Sequence, residues 1–250
     1  MKNLCACSLV IGLLFCSIGE SQAAQKVSVS KDIELQQLAE NVWLHITYIE
    51  YPRYGRIPAN GLIVIDGTSA AMIDTPWNDE QTGMLFDWVE NTLNATIKHV
   101  IVGHSHEDCM GGLAEAHQRG ATSYALDLTQ EKAKAGGLPV PQKLFSESLT
   151  VMVGDTKLLL KYFGGGHTID NIVTWLPDSK ILFGGCLIKA MNANNLGNTQ
   201  EADVEHWPGT VQKVMDAFPE AEIVVPGHGP YGGTELLSHT IALCNTHVSK

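Results

Sequence analysis

The stretch Thr96-Ile97-Lys98-His99-Val100-Ile101-Val102-Gly103-His104-Ser105-His106-Glu107-Asp108 joins an apolar run of β character to a dense set of metal-capable side chains. Ile and Val in the first half suit a buried strand, and Gly103 permits a sharp exit from it. In the second half His104, His106 and Asp108 stand at alternate positions, so an extended segment would present all three on one side. The same arrangement returns three times. Leu158 to Phe163 and three glycines lead into His167, Lys180 to Gly185 leads into Cys186, and Glu222 to Gly227 leads into His228. Ligands in α/β proteins gather beyond strand ends. Four such ends on one edge would bring His104, His167, Cys186 and His228 together.

Around these runs, Asn41 to Asp74 reads as strands. Val42, Leu44 and Ile46 alternate, Leu62 to Ile65 and Ala71 to Ile73 run apolar, and Asp66-Gly67 marks a hairpin turn. The segment Tyr51-Pro52-Arg53-Tyr54-Gly55-Arg56-Ile57-Pro58, with two prolines, a glycine and exposed-type aromatics, suits a protruding loop that would serve as a substrate flap. Helices are expected over 78–92, with Leu85, Trp88 and Val89 apolar, over 203–218, and over 234–246, with Thr234 as N-cap and Leu237, Ile241 and Cys244 on one face. Strands alternate with helices and nothing resembles a linker, which points to an α/β fold in one compact domain over 24–250. A chain of 250 residues is ample for one sizeable core.

Residues 1–23 read as a cleavable secretory signal: Met1-Lys2, an apolar run from Leu9 to Ile18, and small residues at Ser21 and Ala23. The run is too short for a membrane anchor. Cys16 ends it, but Phe15 stands where lipid attachment would want a small residue. The mature chain is thus expected in the periplasm, off the membrane, as a monomer. Removal of the signal leaves Cys109, Cys186 and Cys244, an odd number, so at least one thiol is free or bound to metal. Composition excludes intrinsic disorder, with 44% apolar and 17% charged residues. A formal net charge of −11 and the lack of any basic block argue against nucleic acid as a partner.

Joined in this order, the motifs carry a resemblance. His104-x-His106-x-Asp108, Gly165-Gly166-His167-Thr168-Ile169-Asp170-Asn171, Gly184-Gly185-Cys186-Leu187-Ile188-Lys189, Leu196-Gly197-Asn198, Pro226-Gly227-His228-Gly229 and Ile73-Asp74-Thr75-Pro76-Trp77 resemble the class B, zinc-dependent β-lactamases of subclass B1. The resemblance implies an αβ/βα sandwich with two zinc ions in a shallow groove at one edge. It implies that His104, His106 and His167 hold one zinc, and Asp108, Cys186 and His228 the other. The implied activity is hydrolysis of the β-lactam amide of penicillins, cephalosporins and carbapenems by zinc-activated water, which confers antibiotic resistance. Three neutral imidazoles leave a zinc ion with an open position, the pattern of a catalytic site. Asp108 would orient the attacking water.

Lys189 would meet the carboxylate beside the lactam nitrogen. Asn198 is either a donor to the carbonyl oxygen or simply a turn residue. Trp77, Tyr51, Tyr54 and Ile57 would offer apolar contact to substrate side chains, with a core role also open for Trp77. Asp74 and Asp170 are expected to orient ligand-bearing loops. Competing readings are a thioester or lactone hydrolase of the same fold, or a zinc storage protein. Glyoxalase-like thioesterases would want histidine where Cys109 stands and aspartate where Cys186 stands. Cys109 is expected either beside the ligands, near Cys186, or as a buried apolar thiol at the start of a helix running toward His117.

Overall fold

The computed structural model describes residues 25–248, so the signal expected over 1–23 lies outside the described residues. Eight strands form the first sheet in chain order: β1 (Lys26–Ser30), β2 (Ile33–Ala39), β3 (Val42–Tyr51), β4 (Gly55–Asp66), β5 (Ser69–Ile73), β6 (Thr96–Ile101), β7 (Thr122–Leu126) and β8 (Lys143–Phe145). Helix α1 (Asp79–Leu93) crosses from β5 to β6, α2 (Glu107–Met110) and α3 (Leu113–Gln118) lie between β6 and β7, and α4 (Asp127–Gly136) precedes β8. The second sheet contains β9 (Ser148–Val153), β10 (Thr156–Tyr162), β11 (Ile172–Leu176), β12 (Ile181–Gly185) and β13 (Ile223–Pro226), in the order β13-β12-β11-β10-β9. Helices α5 (Trp207–Ala217) and α6 (Glu235–Val248) flank β13 in sequence.

Alternation along the strands builds the layers. In β4 and β5, Leu62, Val64, Ala71 and Ile73 face the second sheet, while Ile63, Ala70 and Met72 face α1 and α3. In β11 and β12, Ile172, Leu176, Ile181 and Phe183 face the first sheet, while Val173, Trp175 and Leu182 meet Trp207, Val211 and Val214 of α5 and Leu236 and Leu237 of α6. Two sheets therefore pack face to face with helices outside both, an αβ/βα sandwich. Every strand in the middle is apolar on both sides, as a doubly covered sheet requires. Burying Trp207 completely also satisfies its indole, which donates to the Leu187 carbonyl at 2.8 Å.

Strands β5 to β8 run parallel, as do β12 and β13, and β10 runs parallel to β12 through its antiparallel neighbour β11. Carboxyl ends of β10, β12 and β13 consequently share one edge of the second sheet, and the chain leaving β6 meets them there, with the His104 and His167 rings 5.0 Å apart. Three expectations change in detail. The flap is a hairpin of two long strands, with Ile57 paired to Ile49 and Pro58 to Tyr48, so only residues 52–54 are loop. Gly55, at φ 72, makes the return that lets the ladder extend. The helix expected over 203–218 begins at Trp207, after an Asp203–His206 turn, with Pro208 in its first turn. The helix expected from Cys109 toward His117 is two short helices, because the turn at Gly111 and Gly112 lies directly against Trp77 and Thr82.

Candidate metal centre

His104 leaves β6 after Gly103, and the chain stays extended to His106, whose φ of −104° and ψ of 160° cap α2. His104 Nε2 lies 2.9 Å from His106 Nδ1, and His167 Nε2, from the loop after β10, lies 3.3 Å from the same atom. Asp108 does not follow its histidines as alternation suggested. It lies inside α2, whose turn swings its carboxylate out of their row toward Cys186 and His228. There Asp108 Oδ2 is 3.3 Å from Cys186 Sγ and 3.0 Å from His228 Nε2, and Cys186 Sγ is 3.4 Å from His228 Nε2. Two donor triads thus stand side by side, joined at His104 and Asp108, with His104 Nε2 3.9 Å from Asp108 Oδ1.

Burial opposes charge on Asp108, yet the His228 hydrogen bond and the charge of His104 outweigh it and hold the carboxyl well below its usual range. A hydrogen bond from Cys109 holds the Cys186 thiol far below its ordinary value despite burial, with His228 adding to the effect. For His228, burial lowers basicity, but the charge of Cys186 and the bond to Asp108 prevail and raise it well above the ordinary value. Burial, then the charge of His104, lowers both His106 and His167. His106 and His167 are thus held neutral beside His104, whose basicity the charges of Cys186 and Asp108 raise against burial, while the other triad carries a carboxylate and a thiolate. Three ring nitrogens crowded around one point repel unless a cation or proton lies between them, and a thiolate beside a carboxylate calls for a cation too. Imidazole with thiolate and a single carboxylate is a donor set that fits zinc.

The loops are pinned from behind. Asp74, held at φ 58 after β5, accepts the Gly103 N–H at 2.6 Å, and Asp170 accepts that of Ser105 at 2.9 Å. Both do what the sequence suggested. Asn171 accepts from Thr168 N–H and donates to the Gly164 carbonyl, each at 3.0 Å, closing the turn that carries His167. His228 Nδ1 faces the Pro58 carbonyl at 2.6 Å; donating its proton there leaves Nε2 for the centre. Sequence reasoning missed Asn60, whose amide donates to the carbonyls of Pro226 and Gly229, both at 2.8 Å, gripping the His228 loop. Its only signal, Asn-Gly, reads as a hairpin turn, whereas both residues lie in mid-strand.

Beneath Asp74 sits His45, fully buried, with Nε2 3.1 Å from the Asp74 carbonyl. Burial lowers its pKa to about 4, against hydrogen bonds that raise it. The unfolded chain takes up a proton below pH 6.5 while the folded chain does not until about 4, so this contribution to stability is present above 6.5 and lost as pH falls toward 4. Urea midpoints at pH 7.5 and pH 5 should show wild type losing about 2 kcal/mol more than His45→Asn over that interval. Equal losses would remove His45 as the cause.

Around the centre, Trp77 is half-buried, donates to the Thr47 carbonyl at 3.2 Å, and sets its ring 6.3 Å from His228 and 6.1 Å from Tyr51. Tyr51 also donates to Glu107 at 3.0 Å, linking the flap to the donor loop. Tyr54 is exposed at the flap tip, and Ile57 is half-buried in β4. Lys189 is half-buried, its ammonium 5.2 Å from the Trp207 ring centroid, and it lines a cleft of about 300 Å³ with Asn192, Asn195 and His228. Asn198 is exposed, and its side-chain oxygen accepts the Gln200 N–H at 3.1 Å.

Residues 54–228 match the family model described as the metallo-beta-lactamase superfamily. The chain belongs to that superfamily. A metallo-beta-lactamase type 2 of Bacteroides fragilis is 46% identical over 226 residues, covering 90% of this chain and 91% of the relative. One from Pseudomonas aeruginosa is 36% identical over 238 residues, covering 95% and 90%. Among solved structures, that of VMB-1 superposes with a TM-score of 0.84 at 41% identity, covering 88% of this chain and 99% of that one. The metallo-β-lactamase FIM-1 from Pseudomonas aeruginosa, in a form described as mono-zinc, gives 0.82 at 35%, covering 88% and 99%. Metallo-β-lactamases use zinc, in keeping with the donor set here. This metallo-β-lactamase is a hydrolase, and no helix among its described residues is long and apolar enough to cross a membrane.

Proposed function

We propose that the chain is a B1-type zinc β-lactamase that opens the lactam amide of penicillins, cephalosporins and carbapenems in the periplasm, after loss of residues 1–23, as a single domain over 24–250. The observation that carries this reading is the convergence of two donor triads, His104/His106/His167 and Asp108/Cys186/His228, at one open edge. They would hold two zinc ions, which supply Lewis acidity and make water nucleophilic at neutral pH. Asp108 places one carboxylate oxygen toward His228 and the other toward His104, a position from which it can accept a proton from the attacking water. Lys189, its ammonium steadied on the indole of Trp207 beside His228, offers a positive charge to the substrate carboxylate. Asn198, its oxygen held by the turn, has its amide N–H groups to offer to the lactam carbonyl. Trp77, Tyr51, Tyr54 and Ile57 supply the apolar wall.

Hydrolysis of a chromogenic cephalosporin should be abolished by a strong chelator and restored by zinc, with metal analysis giving two ions per chain. Absence of hydrolysis in the zinc-loaded protein, or hydrolysis indifferent to the chelator, would overturn the reading.

A further inference from the structure

We propose that Cys109 is a positioning residue that fixes the ring of His104 and ties it to Cys186, so that one buried thiol sets the geometry of both donor triads. The inference rests on the zinc centre proposed above. His104 turns Nε2 toward His106 and Nδ1 toward Cys109 Sγ, at 3.1 Å. An imidazole that offers Nε2 to a cation carries its proton on Nδ1, and a buried N–H needs an acceptor. His104 is 1% exposed and Cys109 2%, so water does not serve, and the sulfur is the partner at hand.

The thiol has one proton to give, and the Cys186 sulfur is an acceptor in reach. Donor atoms of His104, Asp108, Cys109 and Cys186 all lie within 4.8 Å of one another. A mere apolar filler would be surrounded by hydrocarbon; this sulfur sits among the donor atoms of His104, Asp108 and Cys186. Its backbone is also held, with Cys109 N–H donating to the His106 carbonyl at 3.1 Å and the Cys109 carbonyl accepting from Thr75 at 2.9 Å.

The test compares Cys109→Ala and Cys109→Ser with wild type, using zinc alone as the probe. Zinc affinities are measured by competition with a chromophoric chelator, and the thiolate-to-cobalt charge-transfer band of the cobalt-substituted protein reports Cys186. Loss of an outer partner of a ligand should weaken zinc binding about ten- to a hundred-fold in Cys109→Ala. The cobalt band should shift, and Cys109→Ser, which keeps a donor and an acceptor, should recover most of both. If the thiol only fills space, serine will do worse than alanine, and zinc affinity in Cys109→Ala will equal that of wild type; either result overturns the proposal. Should Cys109→Ala not fold, Cys109→Val, close in size and without polar atoms, takes its place. Wild type that binds no zinc would overturn the centre itself, whereas tight zinc binding unchanged by the substitutions overturns only the role of Cys109.

Discussion

Cys186→Ser is expected to fold like wild type, to retain one zinc ion instead of two, and to lose kcat/KM by on the order of a hundred-fold or more, above the usual effect of losing an outer partner. Serine is nearly the same size, and Cys186 sits in the turn after β12, so the core between the sheets is untouched. What changes is charge. The Cys186 thiol is held far below its ordinary value by Cys109 and His228 and so provides an anion, whereas a serine hydroxyl stays neutral at any working pH. Asp108 and His228 alone then make a two-donor site, too few for structural or catalytic zinc. Substrate would still find Lys189, so the loss should fall more on turnover than on capture. Metal analysis, circular dichroism and steady-state kinetics together check this. Two tightly bound zinc ions in Cys186→Ser would defeat the assignment of the second triad.

Much of this centre was legible in the sequence because its donors follow apolar strands in a repeated order, and strand ends are where α/β folds gather ligands. The sequence marked the six metal-capable side chains that the structure brings together, and Asp74 and Asp170 as residues that hold their loops. Helix α2 was harder to read. Alternation predicted that Asp108 would share a side with His104 and His106, yet the chain turns helical at Glu107, and that turn is what separates the two triads. Four residues are too few for a periodic pattern to show. Asn60 was missed for a different reason: its role lies in carbonyls 166 and 169 residues away, which no local pattern encodes. Asn198 keeps both of its sequence readings: its oxygen accepts in a local turn, and its exposed amide N–H groups can still donate.

The glycine before His104, His167, Cys186 and His228 also has more than the one cause first read. A sharp strand exit explains Gly185, whose φ is 53°. Gly103, Gly166 and Gly227 do not share that left-handed backbone. At those positions a methyl group would meet Asp74 at 2.8 Å, Leu187 at 2.3 Å and Cys186 Sγ at 2.4 Å respectively. Gly166 and Gly227 are glycines because donor loops pass in contact with one another, and Gly103 because the Asp74 carboxylate lies against it.

Gly227→Ala should therefore reproduce much of the Cys186→Ser result without touching a donor. Its new carbon would lie 2.4 Å from Cys186 Sγ and 2.7 Å and 3.0 Å from Cys186 N and Cα, so rotating one side chain cannot relieve the clash. Nor can the loop retreat easily. Gly227 N–H donates to the Gly185 carbonyl at 2.7 Å, and its own carbonyl accepts from Asn60 at 2.8 Å. Overpacking of this kind costs about 1–3 kcal/mol, and the displacement falls on the thiolate and on adjacent His228. Second-site zinc affinity should drop at least tenfold, toward the range seen when a ligand's outer support is removed, with hydrolysis falling alongside. Gly209 in α5 gives the control, because a methyl group there meets nothing within 4 Å. Gly209→Ala should keep both zinc ions and gain about 0.5–1 kcal/mol in urea unfolding, as alanine replaces glycine inside a helix. If Gly227→Ala matches Gly209→Ala in zinc content and rate, the two donor loops have slack that their contacts do not suggest, and close packing is not what holds Cys186 in place.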